Sequence, residues 1–172
     1  MAETSLWNRW RPERREIVHA VKTSIAAVVS LLIARLFHLP ESYWAPITTL
    51  VVMQSTLGAA WTISKQRLAG TAIGALMGAG LASYFGPNIL IFGAGIFAAG
   101  VFCAVLHLER NAFRYTGITL TIILMVTRSE PAWIISIHRF IEISIGIAVG
   151  LALMAVFPED KSSKLVVKAA ST

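Results

Sequence analysis

Three ionisable residues, His138, Arg139 and Glu142, stand in an otherwise apolar stretch and are followed by 15 uncharged residues, Ile143 to Phe157. On a helix Arg139 and Glu142 are three apart and His138 and Glu142 four apart, so all three share a face. Near the centre of a bilayer each charge costs about 2.5 to 3.5 kcal/mol, while ten apolar side chains return roughly 3 to 6 kcal/mol. Such a helix is close to break-even and must hide its charged face. Two readings meet that need. Arg139 and Glu142 neutralise one another as a structural pair, or Arg139 is an anion ligand and Glu142, with His138, carries a proton.

Arg67 opens a second long apolar stretch. Its planar guanidinium suits a carboxylate held through two hydrogen bonds, and equally suits an anchor at the membrane surface. Lys22, one and a half turns into the first apolar stretch, either snorkels to the interface or adds to a cationic vestibule. The segment after Pro40 is the most polar and aromatic of the apolar ones, with Tyr43, Trp44, Thr48, Thr49, Gln54, Ser55 and Thr56. Water or substrate can use that face, and Tyr43, Trp44, Thr49 and Gln54 are its candidate contacts. The plainer role for Tyr43 and Trp44 is an interfacial belt, as for Trp7, Trp10 and Trp61. Gly70, Gly74 and Gly78 recur every four residues, and Gly146 and Gly150 repeat part of that ridge. This is the pattern of closely packed helices. A lone Cys103 and four scattered histidines offer no metal cage. His107 and Glu109 read as solvated residues at a helix end, so no nucleophile and base pair up, and neither an enzyme nor a cofactor is expected.

The elements that must position these residues are membrane helices. Of 172 residues 56% are apolar and 14% charged, and the mean hydropathy is +0.69. Soluble domains carry about 25% charge. Residues 1–16 are polar and arginine-rich without a cleavage site, which leaves the first apolar stretch as an uncleaved anchor. Six crossings fit. Helix 1 covers Ile17 to Leu39. Helix 2 starts at Ser42, with Gly58 dividing it into a spanning part and an interfacial part that carries Trp61. The 41 residues from Leu68 to Leu108 hold no formal charge and are cut into helices 3 and 4 at Gly86-Pro87-Asn88. Helix 5 covers Ala112 to Thr127, and helix 6 follows the break at 128–131 and ends at Phe157. The six-helix domain is thus 17–158, between tails 1–16 and 159–172.

Arg9, Arg11, Arg14, Arg15, Lys65, Arg67, Arg110, Arg114, Lys161, Lys164 and Lys168 fall in the tails and in loops 2–3 and 4–5, against Arg128 alone on the other side. The bias places both termini in the cytoplasm. It also turns the net charge of +6 into a topology signal rather than a nucleic-acid patch. Sliding the chain against itself by 72 residues aligns 13 identities over 44 positions (43–86 with 115–158), among them Tyr43 with Tyr115, Trp61 with Trp133 and Arg67 with Arg139. Chance in this composition gives roughly three to four. A unit of three crossings is odd, so the second copy is inverted. Inverted repeats build a site between their halves near mid-membrane, which points to transport.

With SYWAPITTLVVMQ at 42–54, QRLAGTAIGALMG at 66–78 and RFIEISIGIAVG at 139–150, the chain resembles the fusaric acid resistance protein-like family of inner-membrane transporters, which includes aromatic acid exporters and is related to plant aluminium-activated malate transporters. The resemblance covers about 17–158 and implies export or permeation of organic carboxylates through a dimer or two fused halves; larger members add a soluble cytoplasmic domain. The expectation is an all-α inner-membrane homodimer that exports small organic anions such as aromatic carboxylic acids, with proton coupling and an adaptor protein as possible additions. A passive anion channel and a non-transporting membrane subunit are the rivals.

Overall fold

The computed structural model describes residues 14–126 and 130–157. The expectations for Trp7, Arg9, Trp10, Arg11, Arg128, Lys161, Lys164, Lys168, most of the 1–16 tail and the 159–172 tail lie outside the described residues, as does the Arg15 side chain. Among the described residues all regular structure is helical: α1 Arg14–Leu36, α2 Trp44–Met53, α3 Leu57–Phe85, α4 Ile89–Val105, α5 Arg110–Met125 and α6 Ala132–Val156. Among the described residues three spans, Glu16–Leu36, Leu57–Phe85 and Ala132–Val156, are long and apolar enough to cross a membrane. At 1.5 Å per residue α4 and α5 reach about 24 to 26 Å and α2 only about 15 Å, against a hydrocarbon core of about 30 Å. Large apolar side chains such as Leu76, Ile89 and Phe97 are exposed on the outside. This is a membrane protein.

The second break differs from expectation. It falls at Gln54-Ser55-Thr56 rather than at Gly58. Ser55 Oγ donates to the Val52 carbonyl (2.9 Å), and Thr56 is extended, its carbonyl accepting the Ala60 N–H (2.7 Å) to start α3. A run of short polar side chains competes for backbone hydrogen bonds, whereas one glycine in a 29-residue helix costs only about 1 kcal/mol. Residues 58–64, including exposed Trp61, therefore belong to α3 and form no separate interfacial piece. Lys65 and Arg67 lie within α3 and Arg114 within α5, not in loops.

At the centre α3 and α6 pack antiparallel. Ser136, one turn into α6, donates to the carbonyl of Ala75 in mid-α3 (3.2 Å), while Ala60, one turn into α3, clusters with Ile143 and Ile147 in mid-α6. Outside this pair α5 packs on α3 and α2 on α6, with α4 and α1 as flanks. The glycines set the spacing. A methyl at Gly74 would come 2.9 Å from Thr119 Cβ and strike the Thr116 carbonyl; one at Gly146 would come 2.7 Å from Thr48 Cβ and strike the Ala45 carbonyl. Gly70 and Gly78 meet α5 likewise, and Gly150 meets Val52 of α2. These parallel contacts relate α2 to α5 by 71 residues (45 to 116, 48 to 119, 52 to 123), while α3 and α6 keep the offset of 72. The gapless alignment that pairs Tyr43 with Tyr115 is therefore one residue out of register in this element. By packing, the counterpart of Tyr115 is Trp44.

α1 and α4 end alike. His38 and His107 take left-handed φ values of 53° and 52°, and paired bonds from His38 and Leu39 to Arg35 and Ala34, and from His107 and Leu108 to Ala104 and Cys103, close each terminus. Each stop delivers an acid into the following connection, Glu41 after the first and Glu109 after the second.

Candidate functional site

Arg139 lies seven residues into α6, about 10 Å from its start. It is 1% exposed. Its Nη2 donates to Glu41 Oε2 at 2.6 Å, and its Cζ stands 4.1 Å from the centroid of the Trp44 ring. The Glu41 backbone N–H donates to Oε1 of fully buried Glu142 (3.0 Å), and the Tyr43 hydroxyl donates to Glu41 Oε1 (2.9 Å). Burial first and Glu41 second hold the Tyr43 phenol above its ordinary pKa, so it remains a donor. Pro40, Glu41, Glu130, Ile135, His138, Arg139 and Glu142 line a cavity of about 330 Å³. Three carboxyl groups face one guanidinium there. The guanidinium that the sequence offers as an anion ligand is thus engaged by Glu41, an acid of the α1–α2 connection that the sequence reading did not single out. The signal for it was topological: the end of helix 1 and the start of helix 6 share one end of the bundle, and Glu41 is the acid at that place.

Arg67 occupies the equivalent position on α3, ten residues from its start and about 15 Å deep. Its side chain is 7% exposed, with Cζ 4.9 Å from the Tyr115 ring centroid; Arg114 flanks the same ring at 5.5 Å. Among the described residues no carboxylate lies at ion-pair distance from Arg67, and Arg67 Nε and the neighbouring Ser64 Oγ have no hydrogen-bond partner. Gln66, the residue before it, donates to Glu109 at the start of α5. Two guanidiniums around one ring, with the nearby acid turned to an amide, make this centre cationic where the Arg139 centre is neutralised. Because α3 and α6 run antiparallel, the two centres face opposite ends of the bundle.

The remaining candidates divide. Trp44 and Tyr43 join the Arg139 centre. Thr49 donates to the carbonyls of Ala45 (3.1 Å) and Gly146 (3.0 Å), so its hydroxyl is spent between α2 and α6. Gln54 is exposed beyond the end of α2. Lys22 is half-buried with its ammonium 5.5 Å from the Phe157 ring, at the opposite end of α6 from Arg139. His138 lines the cavity beside Glu142, and its Nδ1 has no hydrogen-bond partner among the described residues. Tyr115, Arg114 and Glu109 are neighbours of this second arginine centre that the sequence reading did not single out as candidates. Their signal was the offset of Arg67 from Arg139, which asks what stands where Trp44 and Glu41 stand. Among the described residues no three His, Cys, Asp or Glu side chains gather as a metal site.

A profile of the fusaric acid resistance protein-like family matches residues 26–153. Among curated proteins the chain is similar to the uncharacterized transporter YdhK, at 29% identity over 160 residues in Escherichia coli K12 and 26% over 160 residues in Salmonella typhimurium. Each match takes in 88% of this chain and 24% of the relative. Inner membrane protein YeeA of Escherichia coli K12 is 32% identical over 114 residues, or 62% of this chain and 32% of that protein. The chain thus spans about a quarter to a third of the length of these relatives. No solved structure matches it.

Proposed function

The chain belongs to the fusaric acid resistance protein-like family of membrane transporters, and from that premise we propose that it exports small organic anions, such as aromatic carboxylic acids, across the inner membrane. The observation that carries the reading is Arg67, a buried guanidinium stacked on Tyr115 with no carboxylate of the described chain on it. A buried charge without a counter-charge is costly, and a ligand carboxylate with an aromatic ring supplies both the missing charge and a partner for the stack. In this reading the two halves are inverted three-helix repeats, both termini are cytoplasmic, and the chain works as a homodimer. Among the described residues Arg14, Lys65, Arg110 and Arg114 gather toward the end that holds the α1 start, against exposed Arg35 toward the other, which supports that orientation. The anion is drawn to Arg67 from the cytoplasmic side and leaves past Arg139 and Trp44. Glu142 and His138, on the wall of the outer cavity, carry the coupled proton. Lys22, Gln54 and Thr49 stand away from this path.

Efflux of benzoate from loaded cells or proteoliposomes tests the proposal. Arg67→Gln, at unchanged membrane abundance, is expected to lower the rate at least tenfold, and an unchanged rate removes the reading. In the same assay Glu142→Gln abolishes stimulation by an imposed proton gradient; persistence of the stimulation removes the proton role, and anion flux with no response to the gradient in the parent protein favours a passive channel.

A further inference from the structure

Resting on that reading, we propose that Glu41 and Glu109 are tethered carboxylates that compete with the transported anion for Arg139 and Arg67, and that in this structure Glu41 is engaged while Glu109 is parked on Gln66. Three observations carry it. The two arginines occupy equivalent places on α3 and α6 and stack on equivalent rings, Tyr115 and Trp44. The two acids are delivered by the same helix stop, a left-handed histidine followed by leucine, His38-Leu39 and His107-Leu108. Yet their partners differ. Glu41 holds Arg139 at 2.6 Å, whereas Glu109 takes the side-chain amide of Gln66, one residue short of Arg67.

Glu41 shows what ligand chemistry the Arg139 centre accepts. Its carboxylate receives one bond from the guanidinium and one from the Tyr43 hydroxyl. A free carboxylate that replaces it meets the same two donors beside the Trp44 ring. Glu41 is also 14% exposed at the cavity wall, so it can swing out without unfolding the bundle, while its backbone N–H keeps the loop fixed to Glu142. A permanent internal carboxylate sets a threshold that weakly binding anions fail to pass, and it keeps Arg139 neutralised when no anion is present. At the other centre the parked position of Glu109 leaves buried Arg67 without a carboxylate of the described residues.

Calorimetric titration of the purified full chain in lipid nanodiscs with benzoate tests the proposal. The parent protein is expected to bind at one site that Arg67→Gln removes. Glu41→Gln is expected to add a second site, or to tighten binding at least tenfold, and the gain disappears in the Glu41→Gln, Arg139→Gln double variant. Glu41→Asp keeps the charge but is one methylene short of Arg139, so a monodisperse Glu41→Asp protein gives an intermediate gain even where Glu41→Gln fails to fold. Benzoate binding in the parent with no gain in a monodisperse Glu41 variant overturns the tether and leaves the transport reading standing. No binding in any of these proteins overturns both.

Discussion

Three neighbours hold the Arg139 guanidinium in place within an apolar helix. The Glu41 carboxylate neutralises it, the Trp44 ring covers its face at 4.1 Å, and Glu142 holds the loop that brings Glu41 in. A desolvated cation over a tryptophan face contributes about 2 kcal/mol. Trp44→Leu is therefore expected to lower the unfolding free energy in mild detergent by about 1 to 2 kcal/mol, and Trp44→Tyr by less, since a ring remains. Equal stability of Trp44→Leu and the parent in denaturant titration would show that the stack contributes nothing. Much of this site was legible. Arg139, Glu142 and His138 stand out because charge is costly in an apolar helix, and the offset of 72 links Arg67 to Arg139. The bond from Arg139 to Glu41 was not legible, because Glu41 is 98 residues away in a connection and a loop acid carries no periodic signal. Spacing of three along one helix points only to Glu142, on the same face as Arg139.

At the scale of elements the close approach of α3 to α5 and of α2 to α6 rests on positions where a side chain has no room. Gly74→Val and Gly146→Val are expected to cost about 1 to 3 kcal/mol through overpacking, seen as a lower melting temperature and loss of monodisperse protein. Gly80, with nothing within 4 Å of an added methyl, is the control: Gly80→Ala raises stability by about 0.5 to 1 kcal/mol through helix propensity. A Gly146→Val protein as stable as Gly80→Ala would refute the packing role. The ridge of glycines was readable from spacing alone, as was the break at Gly86, where φ is +67°. The break after Met53 was not, since Gln54-Ser55-Thr56 is a short polar run between apolar flanks and carries no formal charge, and the glycine next door is the more familiar sequence mark. That single misplacement put Lys65 and Arg67 in a loop when both ride on α3.

At the scale of the whole molecule the antiparallel α3 and α6 bring the α1–α2 connection, the α3–α4 turn and the start of α6 to one end and the α4–α5 connection to the other. Cys103 is 2% exposed against Thr116, so Cys103→Ala gives a clean background for labelling. Ser42→Cys and Pro87→Cys are expected to react with a membrane-impermeant maleimide added to intact cells, and Asn111→Cys only after permeabilisation. Labelling of positions 42 and 87 from opposite sides would overturn the proposed inverted arrangement.

α2 is ten residues long and ends in an exposed Gln54 followed by extended backbone, so its peptide groups give out about 15 Å along a slab about 30 Å thick. Hydrocarbon cannot solvate those groups. Beside this half-length element the acyl chains must dimple or a finger of solvent must reach down, which makes the flank of α2 the place where deuterium would exchange first and where an impermeant solute would probe deepest.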